Sequence, residues 1–365
     1  MEFGLSEDQK LLQESINGTL ARHCPLDRVR AAAEKREPYA EDVWSALVEM
    51  GLAGMLVPEA YGGLGLSVLD AALAAEALGR HVAPVPFLSA AVMAPIAIDR
   101  AGTQAQKERW LPKIAAGEII ATVAVAEAVS GARDGGGVKA SGGKLSGRSL
   151  FVPDGEIADL IVVADAEGGL HLVEGAAAGL TKTGLTSIDL TRPMAELAFE
   201  DTPGEALAGN AAAPREVLHH MRDVGRIMLA ADTLGAGEMM IEKAVEYAKE
   251  RKQFNRVIGS FQAVKHMCAE MAAELEPCRS LIWYAAHTHD ALPDEAPLMS
   301  AHAKAHLAEV GRFVARTATE VHGGMGFTDL LGLHYWFKRI GLDRQLLGSP
   351  ERVREEAARM QGLAA

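Results

Sequence analysis

The sequence predicts a mostly helical protein with a small β module in its middle: an N-terminal helical domain, a small antiparallel barrel or sandwich, and a C-terminal helical bundle. Apolar residues recur at the helical period up to about residue 118. Short alternating or β-branched segments, separated by Gly- and Asp-rich turns, then follow to about residue 210. The helical period returns near residue 214 and continues. We therefore predict domains at 1–118, 119–212 and 213–365.

Helix boundary signals support the N-terminal part of this division. Ser6, which precedes two acidic residues, is typical of a helix start, and Gly51 predicts the end of a helix over 41–50. The same apolar period predicts helices over 71–78 and 104–114. In the middle module, five segments predict strands, namely IIATVAVAEA, KLSGRSLFV, DLIVVADA, GLHLVE and MAELAFED.

Composition excludes several classes of function. The formal net charge of −13 over 365 residues argues against binding to nucleic acid or to an anionic membrane surface. In a chain with this negative net charge, a polyanionic ligand has to be held by local clusters of Lys and Arg residues. Cys268 and Cys278, on one predicted helix, are too far apart for a disulfide, and with Cys24 they suggest a reducing, cytoplasmic compartment. The N-terminal residues do not resemble a signal peptide, and no apolar run predicts a membrane span.

The most informative segment, residues 234–271, reads LGAGEMMIEKAVEYAKERKQFNRVIGSFQAVKHMCAEM. Its apolar residues predict two amphipathic helices joined by a loop that carries Arg251, Phe254 and Gln262. A fixed cation, an aromatic face and an amide suit a large phosphorylated aromatic cofactor. Dinucleotide-fold and P-loop motifs are absent from the sequence, so the usual phosphate-binding loops are not predicted.

This segment resembles the C-terminal helical domain of the acyl-CoA dehydrogenases, flavoproteins that introduce a double bond α,β to a thioester. VHGGMGFT at 321–328 is similar to the glycine turn below the flavin pyrophosphate in that family, and PEAYGGLGLS at 58–67 is similar to its N-terminal signature. The resemblance spans nearly the whole chain. It implies FAD as cofactor, acyl-CoA as substrate and an electron-transferring flavoprotein as electron acceptor.

The resemblance also implies roles for individual residues. Arg251 would bind flavin phosphate across a subunit interface, with Phe254 and Gln262 on the adenine and pyrophosphate sides. Gly323 and Gly324 would let the backbone approach the pyrophosphate, which a Cβ would prevent. Phe151, in SLFVPDG, stands where the family has a Trp against the flavin ring.

The catalytic residue is where the sequence departs most from the family. The base that removes the α-proton is a carboxylate at one of two positions. Those positions are Leu347 and Gly225 here, so the catalytic residue is left unassigned. Asp223 and Glu351 are the candidate substitutes, although the simplest interpretation makes both of them surface carboxylates.

Three further differences concern the flavin site. Pro153 replaces a Thr and provides neither a hydroxyl nor a backbone donor. The family loop close to TEPGAGSD reads AEAVSGARD and keeps little beyond Glu127 and Asp134. Glu320 stands where a Gln faces the pyrophosphate, and its charge would repel phosphate unless it is neutralised.

No metal site is predicted. Histidines occur in pairs, but no third ligand stands at a suitable spacing, so we interpret them as ordinary helix histidines. These pairs are His302/His306, His287/His289 and His219/His220.

Three functions remain open from the sequence. The leading hypothesis is a partner subunit of a heterotetramer, resembling the short bacterial subunits in steroid side-chain degradation, which completes a flavin site whose base lies on a homologous subunit. The second is a self-sufficient homo-oligomeric acyl-CoA dehydrogenase with a relocated base. The third is a structural or binding protein on the same scaffold without flavin.

Overall fold

The computed structural model describes residues 4–131, 135–209 and 212–364. They form two compact units, each assembled from segments distant in sequence. One comprises Met1–Ala31, Ala72–Ala83 and Arg226–Ala365, and the other comprises Ala32–Ala71 and Pro84–Gly225. In the part of the chain so described, no helix combines the length and the hydropathy that a membrane crossing requires.

The N-terminal helices begin and end close to their predicted positions. Ser6 caps the first helix, because its hydroxyl accepts from the N–H of Gln9 and the Gln9 side chain accepts from the N–H of Ser6. Gly51 has φ +85°, which terminates the third helix. The helices are α1 (Glu7–His23), α2 (Leu26–Lys35), α3 (Glu41–Glu49), α4 (Val68–Arg80), a π-helical segment (Phe87–Met93), α5 (Ala94–Ala101) and α6 (Gln104–Ala115).

The middle module contains the predicted strands, with one correction. The last three residues of IIATVAVAEA are helical instead of extended, and they begin α7 (Ala126–Ser130). The Ala and Glu residues there favour helix, which the β-branched residues just before them concealed. The strands are β1 (Ala121–Ala124), β2 (Gly137–Ser141), β3 (Lys144–Pro153), β4 (Leu160–Ala164), β5 (Leu170–Glu174), β6 (Leu180–Leu185), β7 (Met194–Pro203) and β8 (Glu205–Ala206).

These strands form two four-stranded sheets, in the orders β1-β4-β5-β8 and β2-β3-β7-β6. Every pair is antiparallel except β1 with β4, in which Ala121 pairs with Leu160. The long connection between these two strands permits the parallel pairing. Buried apolar residues from both sheets, such as Ile161 and Phe199, share one core.

The C-terminal part is a helical bundle, and the predicted fold class is confirmed. Its elements are α8 (Pro214–Glu250), the short hairpin β9 (Lys252–Gln253) and β10 (Arg256–Val257), α9 (Gln262–Ala291), α10 (Ala296–His322), α11 (Leu333–Gln345) and α12 (Pro350–Met360). Buried polar contacts fix their packing. Arg339 on α11 donates to a carboxylate oxygen of Asp232 on α8 at 3.1 Å and to the carbonyl of Ala83 at 3.0 Å. Such pairs fix one arrangement of the helices, because a buried arginine without acceptors is costly.

Candidate functional site

A two-residue turn shapes the connection between α8 and α9. Phe254 and Asn255 both have positive φ, +52° and +61°, as the tight turn of a hairpin requires. Gly259 then lets the chain return against α8, since an added Cβ there would lie 2.8 Å from the carbonyl oxygen of Ala248. The loop therefore has a defined shape that presents its side chains outward.

Three side chains of this connection are available to a ligand or a second chain. Phe254 is 88% exposed and makes an edge-on contact with Phe261, at 6.2 Å between ring centroids. Arg251 and Gln262 are also exposed, and neither side chain forms a hydrogen bond or ion pair with any described residue of this chain. Gln262 is the first residue of α9, one step beyond the loop in which the sequence placed it.

The glycine turn after α10 lies beside this connection. The rings of Tyr247 on α8 and His322 on α10 are 4.7 Å apart. Arg251 lies one turn after Tyr247, since its N–H donates to the Tyr247 carbonyl at 2.8 Å, and Gly323 directly follows His322. Burial lowers the pKa of His322, so it is neutral near pH 7 and adds no charge here. The fold thus places the main chain of Arg251 one helical turn from a ring contact with His322, the residue that leads into the glycines.

The backbone at 323–324 is open on the side where a Cβ would stand. Gly323 has φ +57°, and an added Cβ at Gly323 or Gly324 would meet no atom within 4 Å. Gly326 differs, because its Cβ would lie 2.6 Å from the Thr319 carbonyl oxygen. The first two glycines therefore leave room for a group to approach the backbone, whereas the third serves packing.

Glu320 belongs to the last turn of α10, before these glycines. One of its carboxylate oxygens accepts from Nε of Arg316 at 3.0 Å, so the charge that the sequence predicted to oppose phosphate has a cationic partner. The i, i+4 spacing of Arg316 and Glu320 was a readable signal of this pair that the sequence analysis missed. Both residues line an open groove of about 370 Å³ between α9 and α10, together with Met267, Glu270, Arg312, Phe313 and Thr317.

Leu347 is one of the two positions at which the family has its base. Its carbonyl is hydrogen-bonded to Arg226, the residue that follows the second position, Gly225. Arg226 on α8, which follows Gly225, has no exposed surface and donates from Nε to the Leu347 carbonyl at 2.9 Å. Its Nη1 lies 2.8 Å from a carboxylate oxygen of Glu356 on α12. Leu347 has φ +56°, a strained conformation for a residue with a Cβ. Position 347 therefore has a hydrocarbon side chain, and the residue that follows Gly225 is a buried arginine whose charge Glu356 balances.

The two substitute bases differ from each other. Asp223 is only 2% exposed, which corrects its interpretation as a surface carboxylate, and Nε of Arg222 lies 2.8 Å from one of its oxygens. It is buried because α8 is covered by packing along this stretch. Glu351 is exposed. Hydrogen bonds from its own N–H, from Ser349 and from Arg344 lower its pKa to about 2, which makes it a weak proton acceptor.

In the middle module, Phe151 lies at a bulge of β3. It is 51% exposed with φ +56°, within the register shift between Ser149 and Val152. Glu127 on α7 fixes this bulge, since its carboxylate accepts from the N–H of Leu150 at 2.6 Å and from the Ser149 hydroxyl at 2.7 Å. One residue kept from the family loop thus orients the strand that presents Phe151. The other, Asp134, lies outside the described residues.

Contacts after the bulge fix the rest of this strand. The Pro153 carbonyl accepts from the hydroxyl of Thr122, so the residue that replaces the family Thr is anchored by its backbone. Asp154, for which the sequence pattern predicted no role, is buried and accepts from the Ser89 hydroxyl at 2.5 Å. The Asp-Gly pair at its position was the available signal, since such pairs mark turns.

Within the described residues, no three His, Cys, Asp or Glu side chains are grouped so that they could hold a metal ion. His289, for example, is buried and lies 2.9 Å from the hydroxyl of Ser300.

Comparison with known proteins identifies the family. The model of the acyl-CoA dehydrogenase N-terminal domain matches residues 6–118, and that of the acyl-CoA dehydrogenase C-terminal domain matches 216–361. Acyl-CoA dehydrogenase IpdE2 from Mycobacterium tuberculosis is 31% identical over 348 residues, which cover 95% of this chain and 95% of that protein. The chain belongs to the acyl-CoA dehydrogenase family.

Solved structures of the family have the same fold. The Tcur3481-Tcur3483 steroid ACAD superposes with a TM-score of 0.88 at 30% identity, over 98% of each chain. The ChsE4-ChsE5 complex from Mycobacterium tuberculosis gives a TM-score of 0.90 at 26% identity, over 100% of each chain. Both similarities span this chain from the N-terminal helices to the C-terminal bundle.

Proposed function

We propose that this chain is the base-lacking subunit of a heteromeric, FAD-linked acyl-CoA dehydrogenase. A homologous subunit provides the carboxylate that removes the α-proton of the acyl-CoA thioester. This chain contributes Arg251, Phe254, Gln262 and the 323–324 backbone to the flavin site of that subunit. An electron-transferring flavoprotein then accepts the electrons.

The contact of Arg226 with Leu347 carries the proposal. In a catalytic chain of the family, a carboxylate stands at the position of Leu347 or at that of Gly225, the residue before Arg226. Here Arg226 is buried against the Leu347 carbonyl and Glu356, and the side chain at 347 has no titratable group. Glu351 supports the same conclusion, because its pKa of about 2 and its ion pair with Arg344 disfavour proton abstraction.

The surface around the glycine turn fits FAD as it would be held from a neighbouring subunit. Arg251 has a guanidinium without a partner in the described part of the chain, which suits bidentate phosphate binding. Phe254 presents an aromatic face, and the open backbone at Gly324 permits close approach of a diphosphate. When bound, FAD accepts the hydride that leaves the β-carbon of the thioester.

The relatives agree with a heteromeric assembly and suggest a substrate class. The names Tcur3481-Tcur3483 and ChsE4-ChsE5 each pair two components, and the first is called a steroid ACAD. IpdE2 from Mycobacterium tuberculosis is itself called an acyl-CoA dehydrogenase. We therefore propose a steroid-derived acyl-CoA thioester as the first substrate to assay, with fatty and branched acyl-CoA thioesters as comparisons.

Co-expression tests the proposal. The chain is purified alone and also together with a homologue from the same genome that has a glutamate at the position of Leu347. Absorbance in the flavin band and acyl-CoA oxidation with an artificial electron acceptor are measured for both. We expect a colourless, inactive single chain, and a yellow, active complex that contains both chains.

The homologue alone, purified in the same way, is the control. We expect it to hold less FAD than the complex, because it lacks the contacts made by Arg251 and Phe254. Flavin and turnover in the single chain would contradict the proposal and favour a self-sufficient homo-oligomer. Absence of flavin from every combination would favour a non-catalytic protein on the same scaffold.

A further inference from the structure

The last turn of α10 places a carboxylate next to the open backbone. The N–H of Gly323 donates to the main-chain carbonyl of Glu320, so Glu320 lies in the helical turn that leads into the glycines. The C-terminal end of a helix already carries partial negative charge. A full negative charge at the same end opposes the approach of a phosphate, so the site requires a compensating cation.

Arg316 is that cation. It lies one helical turn before Glu320 and uses Nε to bond a carboxylate oxygen at 3.0 Å. A guanidinium has five N–H donors. Within the described part of the chain, the two terminal nitrogens of Arg316 have no other acceptor. Within the described residues no other acceptor therefore competes with Glu320 for the charge of Arg316.

The position of the pair favours a ligand-facing role over a simple surface ion pair. Arg316 and Glu320 line the groove of about 370 Å³ between α9 and α10. Arg312 lines it too, but is paired with Glu309 at 3.1 Å and does not bond Glu320. A second chain that covers this groove would exclude water and weaken screening, so an uncompensated Glu320 would then repel phosphate strongly.

We propose that Arg316 is a positioning residue for the FAD diphosphate, which acts by neutralising Glu320. At position 320, where the family resembled by this sequence has a neutral Gln, this chain has a glutamate. The ion pair with Arg316 offsets the negative charge of Glu320 near the glycine turn. This inference rests on the proposed function, because it requires that FAD bind at this surface.

A double-mutant cycle tests the inference in the two-chain complex. FAD is removed, then titrated back while flavin fluorescence is followed, for the wild type, Arg316→Gln, Glu320→Gln and the double variant. We expect Arg316→Gln to raise the Kd for FAD about tenfold. Glu320→Gln and the double variant should both stay within about threefold of the wild type, because the repulsion is gone. An unchanged Kd in Arg316→Gln, or a double variant as weak as Arg316→Gln, would overturn the inference.

Arg312→Gln is the matched control, since it removes an equal charge from the same helix without touching Glu320. We expect its Kd to stay within about twofold of the wild type. An equal loss in Arg312→Gln would show a general charge effect and overturn the specific role of Arg316. Failure of the wild-type complex to bind FAD would overturn the proposed function as well, whereas normal wild-type binding with an unaffected Arg316→Gln would overturn only this inference.

Discussion

Arg226 donates from Nε to the carbonyl of Leu347 at 2.9 Å, although the two residues lie 121 positions apart in the sequence. The bond joins α8 to the turn before α12, where a catalytic member of the family would have its base. Because Arg226 is fully buried and Glu356 balances its charge, the turn has an electrostatic anchor in place of a catalytic carboxylate.

Replacement of Arg226 tests this anchor. Arg226→Gln should lower the free energy of unfolding by about 3 kcal/mol, because it removes the buried partner of Glu356 and leaves that carboxylate with the more exposed Arg352. Urea denaturation of the isolated chain measures the loss. Arg352→Gln, which removes the more exposed partner of Glu356, is the control and should cost less than about 1 kcal/mol. Equal losses in the two variants would contradict the anchoring role of Arg226.

Restoring a carboxylate at position 347 tests whether the base is the only part missing. We expect Leu347→Glu to fold and to leave acyl-CoA oxidation by the isolated chain at background. The reason is that Pro153 still lacks the backbone donor of a flavin-binding strand. Oxidation is assayed with an artificial acceptor and added FAD, with Leu347→Gln as the neutral control. Turnover in the glutamate variant alone would show that this chain holds a complete flavin site.

Arg251 should matter to the flavin and not to the fold. Its side chain has no partner within the described residues, so Arg251→Gln should leave the unfolding midpoint of the isolated chain unchanged. In the complex, the loss of a charged hydrogen bond to phosphate should weaken FAD binding by about 2 kcal/mol, measured by flavin titration. Arg256→Gln is the control, since Arg256 stacks on Phe261 in the same loop. If both variants bind FAD like the wild type, Arg251 is merely solvated.

The stability of the isolated chain should fall in mild acid because of His81. Burial, followed by the charge of Arg80, lowers the pKa of His81 from 6.5 to about 4. Between those two values the unfolded chain binds the proton and the folded chain does not, so stability is full above pH 6.5 and declines as the pH falls toward 4. We expect a loss of about 1 to 2 kcal/mol from this group between pH 7.5 and 5, after allowance for solvent screening.

Comparison with His81→Gln isolates this effect. His322 and His334 also have lowered pKa values, so the wild type loses stability from several groups at once. Urea denaturation at both pH values should show a smaller decline for the variant than for the wild type. Identical declines would mean that His81 keeps its ordinary pKa in the folded chain.

Local patterns were enough to predict most of the elements. The helical period identified α3, α4, α6 and the two helices around Arg251, and the capping signal at Ser6 marked the start of α1. The strands that were predicted are those with continuous β-branched or alternating residues, such as β4. α7 was missed because a five-residue helix is too short to show a period of its own.

The sequence by itself determined the family and the absence of a carboxylate at positions 225 and 347, since both depend only on which residue stands where. Only the tertiary structure decided that Arg226 occupies the Leu347 turn, that Asp223 is buried, and that Tyr247 and His322 bring Arg251 beside the glycine turn. These features join residues that lie far apart in the chain. Local periodicity records which face of an element is apolar, but not which distant element covers that face.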